Sequence, residues 1–265
     1  MIKKLYKIFK EQGIFGFPRI LRIQILLILY KIEKFFNIKN YRTFFGNLKL
    51  VANWNDENNK IYYCGSEGNY LANYLLKYSE SFTFLDVGAN IGYYSILSAK
   101  NAKCLKVYSF EPIKELSILL KNNSQLNNTE NKIDILNKAI TSVNGYTLIN
   151  YNKDSTGLSS IDNKIKDSKP ITIETTNHEG FNELIDLNKK NLIVKIDTEG
   201  DELIVTKELL KSNLNSLVNE IIYEIDERWT DPRLVKNILV ENGFNSFKKI
   251  GFRESHYDIN AFRNY

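Results

Sequence analysis

The sequence predicts an α/β fold: a mostly parallel sheet with helices on both faces, a C-terminal antiparallel hairpin and an N-terminal helical extension. Residues 82–95, FTFLDVGANIGYYS, read as a buried apolar strand, a turn with two glycines four apart, and a helix. Further strand-like runs at 106–110, 133–136 and 191–197 alternate with helical patterns, as in parallel sheets. The closing hairpin is predicted from strand-like runs within 244–262.

The N-terminal extension is basic. Residues 1–50 hold 11 Lys and Arg against two acids, a net charge of +9, and the remaining 25 Lys and Arg face 29 acids, a net −4. Residues 1–40 are predicted to form amphipathic helices whose apolar run, Ile25–Tyr30, is too short to span a bilayer. Two interpretations stay open: residues 1–36 lie on the inner face of a membrane, or they pack on their own domain or on a second subunit in a homodimer.

Composition limits the setting and the partners. Two cysteines and two histidines exclude a disulfide framework and make a zinc site unfavourable, so a cytoplasmic protein is expected. The acidic balance after residue 50 argues against a nucleic-acid partner.

Residues 41–80 are predicted to cover one end of the sheet. Leu48–Val51 and Lys60–Cys64 read as a strand pair, and Glu67–Tyr78 reads as a helix with one apolar face. Residues 81–265 then form the main domain.

The glycine turn and the following strand predict a ligand site. Asp86 ends the first strand, and Gly88 and Gly92 let the backbone approach a ligand closely, so a side chain at Gly88 is expected to fill ligand space. Asn90 stands where the second glycine of the dinucleotide fingerprint would be, which disfavours a nicotinamide oxidoreductase. Glu111 follows roughly 20 residues later, where an acid that binds ribose hydroxyls is expected.

A second group of polar residues follows the fourth parallel strand. Asp197 and Glu199 lie at its carboxyl end, where ligands of open α/β sheets bind. Lys195 shares a face with Asp197 and is costly to bury unless it is paired, so we expect it to pair with Glu224 of the next strand.

Three motifs carry a family resemblance: DVGANIGYYS from Asp86, SFEP from Ser109 and KIDTEG from Lys195. In this order they resemble the FkbM family of S-adenosylmethionine-dependent methyltransferases, over residues 82–262. The resemblance implies a class I methyltransferase (Rossmann-like) fold, S-adenosylmethionine as cofactor, and an O-methyl acceptor such as a sugar or surface-glycan precursor. The cofactor-binding residues it implies are Asp86, Gly88, Asn90, Gly92 and Glu111, with Asn137 and Ala139 near the adenine.

Some of these assignments have plain structural alternatives. Asn137 and Ala139 are equally consistent with an ordinary exit from a strand. The polar loop Ser155–Ser160 offers hydroxyls to a substrate or is a flexible loop.

The methyl group of a sulfonium is already activated, so no nucleophilic residue is needed, whereas a sugar hydroxyl benefits from a general base. Asp197 is the first candidate, followed by Glu199, His178 and Glu224. A loop histidine is more often a surface residue, and acids after a strand often begin a helix. No metal is expected, because a further ligand beside Asp197 and Glu199 is not evident.

Other functions remain to be compared. An RNA or protein N-methyltransferase typically carries an N/D-P-P-Y stretch after the fourth strand, and this sequence has none. A lipid or small-metabolite acceptor and a non-catalytic scaffold stay open, although the set Asp86, Gly88, Gly92 and Glu111 argues against a scaffold.

Overall fold

The computed structural model describes residues 17–66, 69–153, 156–158, 168–185, 191–250 and 255–263. The first part of the predicted N-terminal extension, residues 1–16, and the hydroxyls of Ser155, Ser159 and Ser160 lie outside these ranges. The helices are α1 Phe17–Phe35, α2 Glu57–Cys64, α3 Asn69–Lys77, α4 Tyr93–Lys100, α5 Lys114–Leu126, α6 His178–Leu184, α7 Glu202–Lys211 and α8 Pro232–Glu241. The strands are β1 Asn40–Arg42, β2 Lys49–Val51, β3 Phe82–Val87, β4 Cys104–Phe110, β5 Ile133–Leu136, β6 Ala139–Ile140, β7 Gly145–Tyr151, β8 Lys169–Thr176, β9 Leu192–Ile196, β10 Val218–Asp226, β11 Ser246–Ile250 and β12 His256–Phe262.

The main sheet has seven strands in the order β11-β12-β10-β9-β3-β4-β5. The five strands from β10 to β5 are parallel, and β12 runs antiparallel to both β10 and β11. The predicted mostly parallel sheet and its C-terminal hairpin are therefore confirmed. Since parallel strands end at one edge, the chain segments after β3, β4, β9 and β10 meet there.

Helices cover both faces of this sheet, as predicted. Alternate side chains of β3 show the two layers: Phe82 and Phe84 belong to the cluster that includes residues of α4 and α5. Leu85 and Val87 belong to the cluster with residues of α7 and α8. All four side chains are buried, which is why β3 reads as an unbroken apolar run.

The predicted strand at Lys60–Cys64 is wrong, because this segment is the second half of α2. Asp56 caps the helix by accepting from the Asn58 backbone N–H, and Gly65 ends it in the left-handed conformation with φ 57°. The partner of β2 is instead β1, with Tyr41 opposite Leu50. The predicted helix that leads into the first sheet strand is confirmed as α3.

A separate three-stranded sheet, in the order β6-β8-β7, lies between β5 and α6 in the sequence. Here β6 pairs parallel with β8, and β7 pairs antiparallel with β8. Strands β7 and β8 flank the polar loop Ser155–Ser160 in the sequence.

Candidate functional site

The glycine turn between β3 and α4 is shaped by close packing. Gly88 and Gly92 have φ angles of 78° and 86°, a region that favours glycine. A Cβ added to Gly88 would lie 1.8 Å from the backbone oxygen of Asp197, and one added to Gly92 would lie 2.6 Å from Leu120 Cγ. Contrary to expectation, a side chain at Gly88 would therefore meet the loop after β9 first, rather than a ligand. The glycine lets two strand-end loops touch.

Glu111 lies just after β4 and is 4% exposed. Its two carboxylate oxygens accept from the backbone N–H groups of Asn90, at 2.8 Å, and Ile113, at 2.9 Å. Burial raises the pKa of Glu111 to about 7. Each oxygen keeps a further lone pair. The side chain thus braces the glycine turn and still fits a pair of ribose hydroxyls, as a cofactor with a ribose requires.

Asp86 is fully buried in β3 and contacts residues of two neighbouring elements. It accepts from Ser95 Oγ at 2.6 Å, and one of its oxygens lies 3.4 Å from Lys195 Nζ. These contacts tie β3 to α4 and to β9.

The two residues predicted near the adenine make different contacts. Asn137 Nδ2 donates to the backbone oxygens of Glu111, at 2.7 Å, and Pro112, at 2.9 Å, so it holds the end of β4 in place. Ala139 belongs to β6 and is buried in the cluster with Ile149 and Ile173. Contact of either residue with the adenine stays a prediction.

Lys195 is buried in β9 and its predicted partner is wrong. Its Nζ lies 3.1 Å from Asp197 Oδ2, and Asp86 is its second partner. The strand register explains this, because Lys195 is opposite Asp86 on β3 and opposite Ile222 on β10, two residues before Glu224. Burial lowers the pKa of Lys195, but the carboxylates of Asp197 and Asp86 outweigh it and raise the pKa above its ordinary value.

Three carboxylates, two from the loop after β9 and one from the last part of β10, meet near the carboxyl ends of these strands. Asp197, Glu199 and Glu224 each place one oxygen within 4.8 Å of the others, and together they are called the acid cluster below. Burial first, and then repulsion between these acids, raises the pKa of Glu199 and of Glu224. The same causes raise the pKa of Asp258, on β12, to about 6. At neutral pH the acid cluster therefore shares protons instead of carrying its full negative charge.

Buried Glu202 fixes the turn that carries Glu199. Its Oε1 accepts from the backbone N–H groups of Thr198, at 3.2 Å, and Gly200, at 3.0 Å, while Thr230 Oγ1 donates to its Oε2 at 2.9 Å. This brace holds Glu199 at φ 54°. Glu202 comes two residues after the KIDTEG motif, so a neighbouring residue in the sequence fixes the turn of this motif.

The acid cluster also has the composition of a divalent-cation site, because carboxylate oxygens are the ligands of Mg²⁺ and Ca²⁺. Glu224 supplies the third ligand that sequence reasoning found missing, which removes that argument against a metal. However, Lys195 already places a positive charge beside Asp197. The expectation that no metal takes part stays a prediction.

The structure does not bring His178 to the acid cluster. Its Nδ1 lies 2.8 Å from Glu208 on α7. Glu208 comes six residues after the start of α7, so it lies about 9 Å along the axis from the end that faces the cluster. His178 fits better as a brace between α6 and α7.

Several residues of the site have no signal in the local sequence. Tyr62, on α2, stacks on Tyr93 with ring centroids 4.2 Å apart. Burial, followed by repulsion from Asp197, raises the pKa of the Tyr62 hydroxyl. The ring of Tyr94 lies 5.3 Å from Lys195 Nζ. These aromatic rings flank the acid cluster.

Two further residues lie beside the acid cluster and the glycine turn: His256 of β12 and Thr156 of the loop before β8. His256 Nε2 lies 2.6 Å from Glu224 Oε1. Thr156 Oγ1 donates to Asp56 at 2.6 Å and lies 3.3 Å from the Asn90 amide nitrogen. The Thr156 hydroxyl of the predicted polar loop therefore contacts the glycine turn.

The sequence matches the model of the methyltransferase FkbM domain over residues 86–250. No curated protein matches the chain significantly. The crystal structure of methyltransferase FkbM from Methylobacillus flagellatus KT is similar, with a TM-score of 0.50 and 17% identity over 77% of this chain and 52% of that one. This chain thus spans about half the length of that relative.

Two further solved structures are similar at lower scores. TYW2 from M. jannaschii in complex with AdoMet has 15% identity and a TM-score of 0.46, over 85% of this chain and 87% of that one. TrmK from M. capricolum in complex with S-adenosyl-homocysteine has 12% identity and a TM-score of 0.43, over 73% of this chain and 67% of that one.

The predicted fold class is confirmed, because the fold is shared with a solved FkbM methyltransferase, and the predicted cofactor, S-adenosylmethionine, agrees with the matched methyltransferase domain. The glycine turn and Glu111, at the ends of β3 and β4, are the residues that fit it. The matched domain covers more than half of the chain and includes the glycine turn, Glu111 and the acid cluster. The chain belongs to the FkbM family of methyltransferases.

Proposed function

We propose that this protein is an S-adenosylmethionine-dependent O-methyltransferase that methylates a hydroxyl of a sugar or surface-glycan precursor. The observation that supports this most is the acid cluster, which contacts the glycine turn through the Gly88–Asp197 approach. Methylation of a neutral hydroxyl releases a proton, and a carboxylate at that place can accept it.

The residues divide the work as follows. S-adenosylmethionine supplies an already activated methyl group when bound. Glu111 would hold its ribose hydroxyls. Asp197 Oδ2 is engaged by Lys195 Nζ, so we assign the acceptor's proton to Asp197 Oδ1. Lys195 orients Asp197 through this contact.

Glu199 and Glu224 suit a polyhydroxylated acceptor. Because their pKa values are raised, each can be protonated near neutral pH and can then both donate and accept hydrogen bonds. Hydroxyl groups that neighbour the reacting one need such partners. The rings of Tyr62 and Tyr94 offer apolar faces beside them, the usual mixture in a small-molecule site.

A methyl-transfer assay with labelled cofactor tests this proposal. Free sugars, nucleotide sugars, tRNA and a basic protein serve as acceptors, and the labelled atom is located by mass spectrometry. We expect the label on a sugar oxygen, and its loss in Asp197→Asn. The matched control is Asp134→Asn, on β5, whose side chain pairs with Lys106 at 2.8 Å. Label found only on nitrogen would contradict the proposal.

A further inference from the structure

Helix α1 carries two apolar faces, and the described part of the chain covers only one of them. The covered face packs on the main core through Leu26, Leu27 and Tyr30. Tyr30 makes edge contacts with Trp54 and Tyr63, with ring centroids 5.1 Å and 5.5 Å apart. This face explains how the helix is held on the domain.

The opposite face of α1 and the residue after it form an exposed apolar stripe. Its members are between 43% and 83% exposed: Leu21, Ile25, Ile28, Leu29, Ile32, Phe35 and Phe36. At about 100° per residue, their spacing places them within about a third of the helix circumference. These seven side chains are called the outer stripe below. Packing on the domain does not account for it.

An exposed apolar patch of this extent marks an interaction surface. None of the helices in the described part of the chain is long and apolar enough to cross a bilayer, so α1 is suited to lie on a surface. The charges near the helix indicate whether this partner is a lipid surface or a second copy of the chain. Lys31 on α1 is exposed, as are Lys39 and Arg42 in the segment after the helix, and residues 1–50 have a net charge of +9.

We infer that the outer stripe binds an anionic lipid membrane surface. A basic amphipathic helix is attracted to anionic headgroups while its apolar side chains enter the boundary with the acyl chains. A second copy of this chain would bring one segment of net charge +9 against another, which the charges disfavour. The inference does not depend on the acceptor or on methyl transfer.

The packing also links this surface to the catalytic end of the sheet. Glu33 on α1 accepts from the hydroxyl of Tyr63 on α2 at 2.9 Å. The preceding residue, Tyr62, stacks on Tyr93 of α4, which follows the glycine turn. Helix α2 therefore connects the membrane-bound helix with the wall of the cofactor site.

Co-sedimentation of the full chain with lipid vesicles tests the inference. One vesicle is an equal mixture of phosphatidylcholine and phosphatidylglycerol, and the other is phosphatidylcholine alone. We expect binding to the anionic vesicle, and less of it at high salt. Ile28→Glu, at the centre of the outer stripe, should weaken binding by about tenfold or more, because an Ile side chain that enters the lipid boundary is replaced by a charged one.

Leu234→Glu is the matched control. Leu234 is 50% exposed on α8, compared with 60% for Ile28, so both changes place a charge at an exposed apolar position. We expect the control to bind vesicles like the wild type. Lys31→Glu should weaken binding to anionic vesicles only. Unchanged S-adenosylmethionine affinity in all variants shows that the domain has kept its fold.

Three results would overturn the inference. The first is no binding of the wild type to anionic vesicles. The second is equal loss of binding in Ile28→Glu and Leu234→Glu. The third is a wild-type dimer, measured by light scattering, that Ile28→Glu converts to a monomer without any change in vesicle binding. In that case the outer stripe is an interface between two copies.

Discussion

The glycine turn and the acid cluster lie side by side at one edge of the sheet, yet they are stabilised differently. In the turn, the backbone N–H groups of Gly88, Ala89 and Asn90 have acceptors on the end of β4 or on Glu111. In the acid cluster, three carboxylates lie beside buried Lys195, and burial raises the pKa of Glu199 and of Glu224. The comparison shows a turn whose backbone groups are fixed by hydrogen bonds next to a group of acids that repel one another, and our proposal assigns proton transfer to that group.

Gly88→Val should give the largest effect, because Gly88 joins the two regions. The new Cβ would meet the backbone oxygen of Asp197, and φ 78° strains any residue with a side chain. We expect the free energy of unfolding to fall by about 2–5 kcal/mol, and cofactor binding and turnover to be lost. Chemical denaturation measures the stability, and calorimetry measures the cofactor binding.

The control for this change is Gly145→Ala. Gly145 also has a positive φ, of 140°, but an added Cβ there would have nothing within 4 Å. It should cost only the backbone strain and leave cofactor affinity unchanged. If Gly88→Val binds cofactor normally, the two regions are not coupled through this contact.

Asp197→Asn should separate the two regions. It keeps the shape of the side chain and removes the basic oxygen, so kcat should fall on the order of 10²-fold or more. Cofactor affinity should change little, because Asp197 faces the acceptor in our assignment. The measurements are steady-state kinetics with a confirmed acceptor and calorimetry. Near-normal turnover would transfer the base role to Glu199 or Glu224.

Glu111→Ala should act on the cofactor side. We expect S-adenosylmethionine and its demethylated product to bind about 1–3 kcal/mol more weakly, because hydrogen bonds to a charged group are lost. Glu115→Ala is the control, since Glu115 is exposed on α5 and pairs only with exposed Lys153 among its described contacts. Unchanged affinity in Glu111→Ala would remove Glu111 from the cofactor site.

The pH dependence of stability should reflect the raised pKa values of both regions. The folded pKa values of Glu111 and Asp258, about 7 and about 6, exceed the ordinary 4.5 and 3.8. A raised folded pKa stabilises the protein below the ordinary pKa, and this stability is lost as pH rises through the folded pKa. The free energy of unfolding should therefore fall between about pH 4 and pH 7.

Glu199 and Glu224 should extend this fall above pH 7, since their pKa values are raised too. Glu199→Gln should make the high-pH part of the curve shallower, whereas exposed Glu241→Gln should follow the wild type. Denaturant titrations over this pH range measure the curves. A stability that rises from pH 6 to pH 9 would contradict the raised pKa values.

Chelation should have the smallest effect. Lys195 already lies 3.1 Å from Asp197, so turnover should not need a divalent cation in the acid cluster. Kinetics with and without EDTA check this. A loss of turnover that Mg²⁺ restores would show that Asp197, Glu199 and Glu224 hold a metal.

The sequence by itself determined the elements whose contacts are local. The apolar run and the two glycines within residues 82–95 predict a strand, a turn and a helix directly, and Glu111 follows at the end of the next strand. The fourth strand and the acids after it could be found for the same reason. The segment Lys60–Cys64 was misread, because its apolar residues suit a strand as well as a helix, and the caps at Asp56 and Gly65 decided the outcome.

Only the tertiary structure decided which side chains meet. The sequence cannot show strand register. The register places Lys195 opposite Asp86, and Glu224 contacts His256 instead of Lys195. Nor can it show that Tyr62 reaches the glycine turn from 31 residues away, at Tyr93. Local propensities are properties of a few neighbouring residues, whereas pairing of ionised groups depends on distances that exist only after the strands have packed.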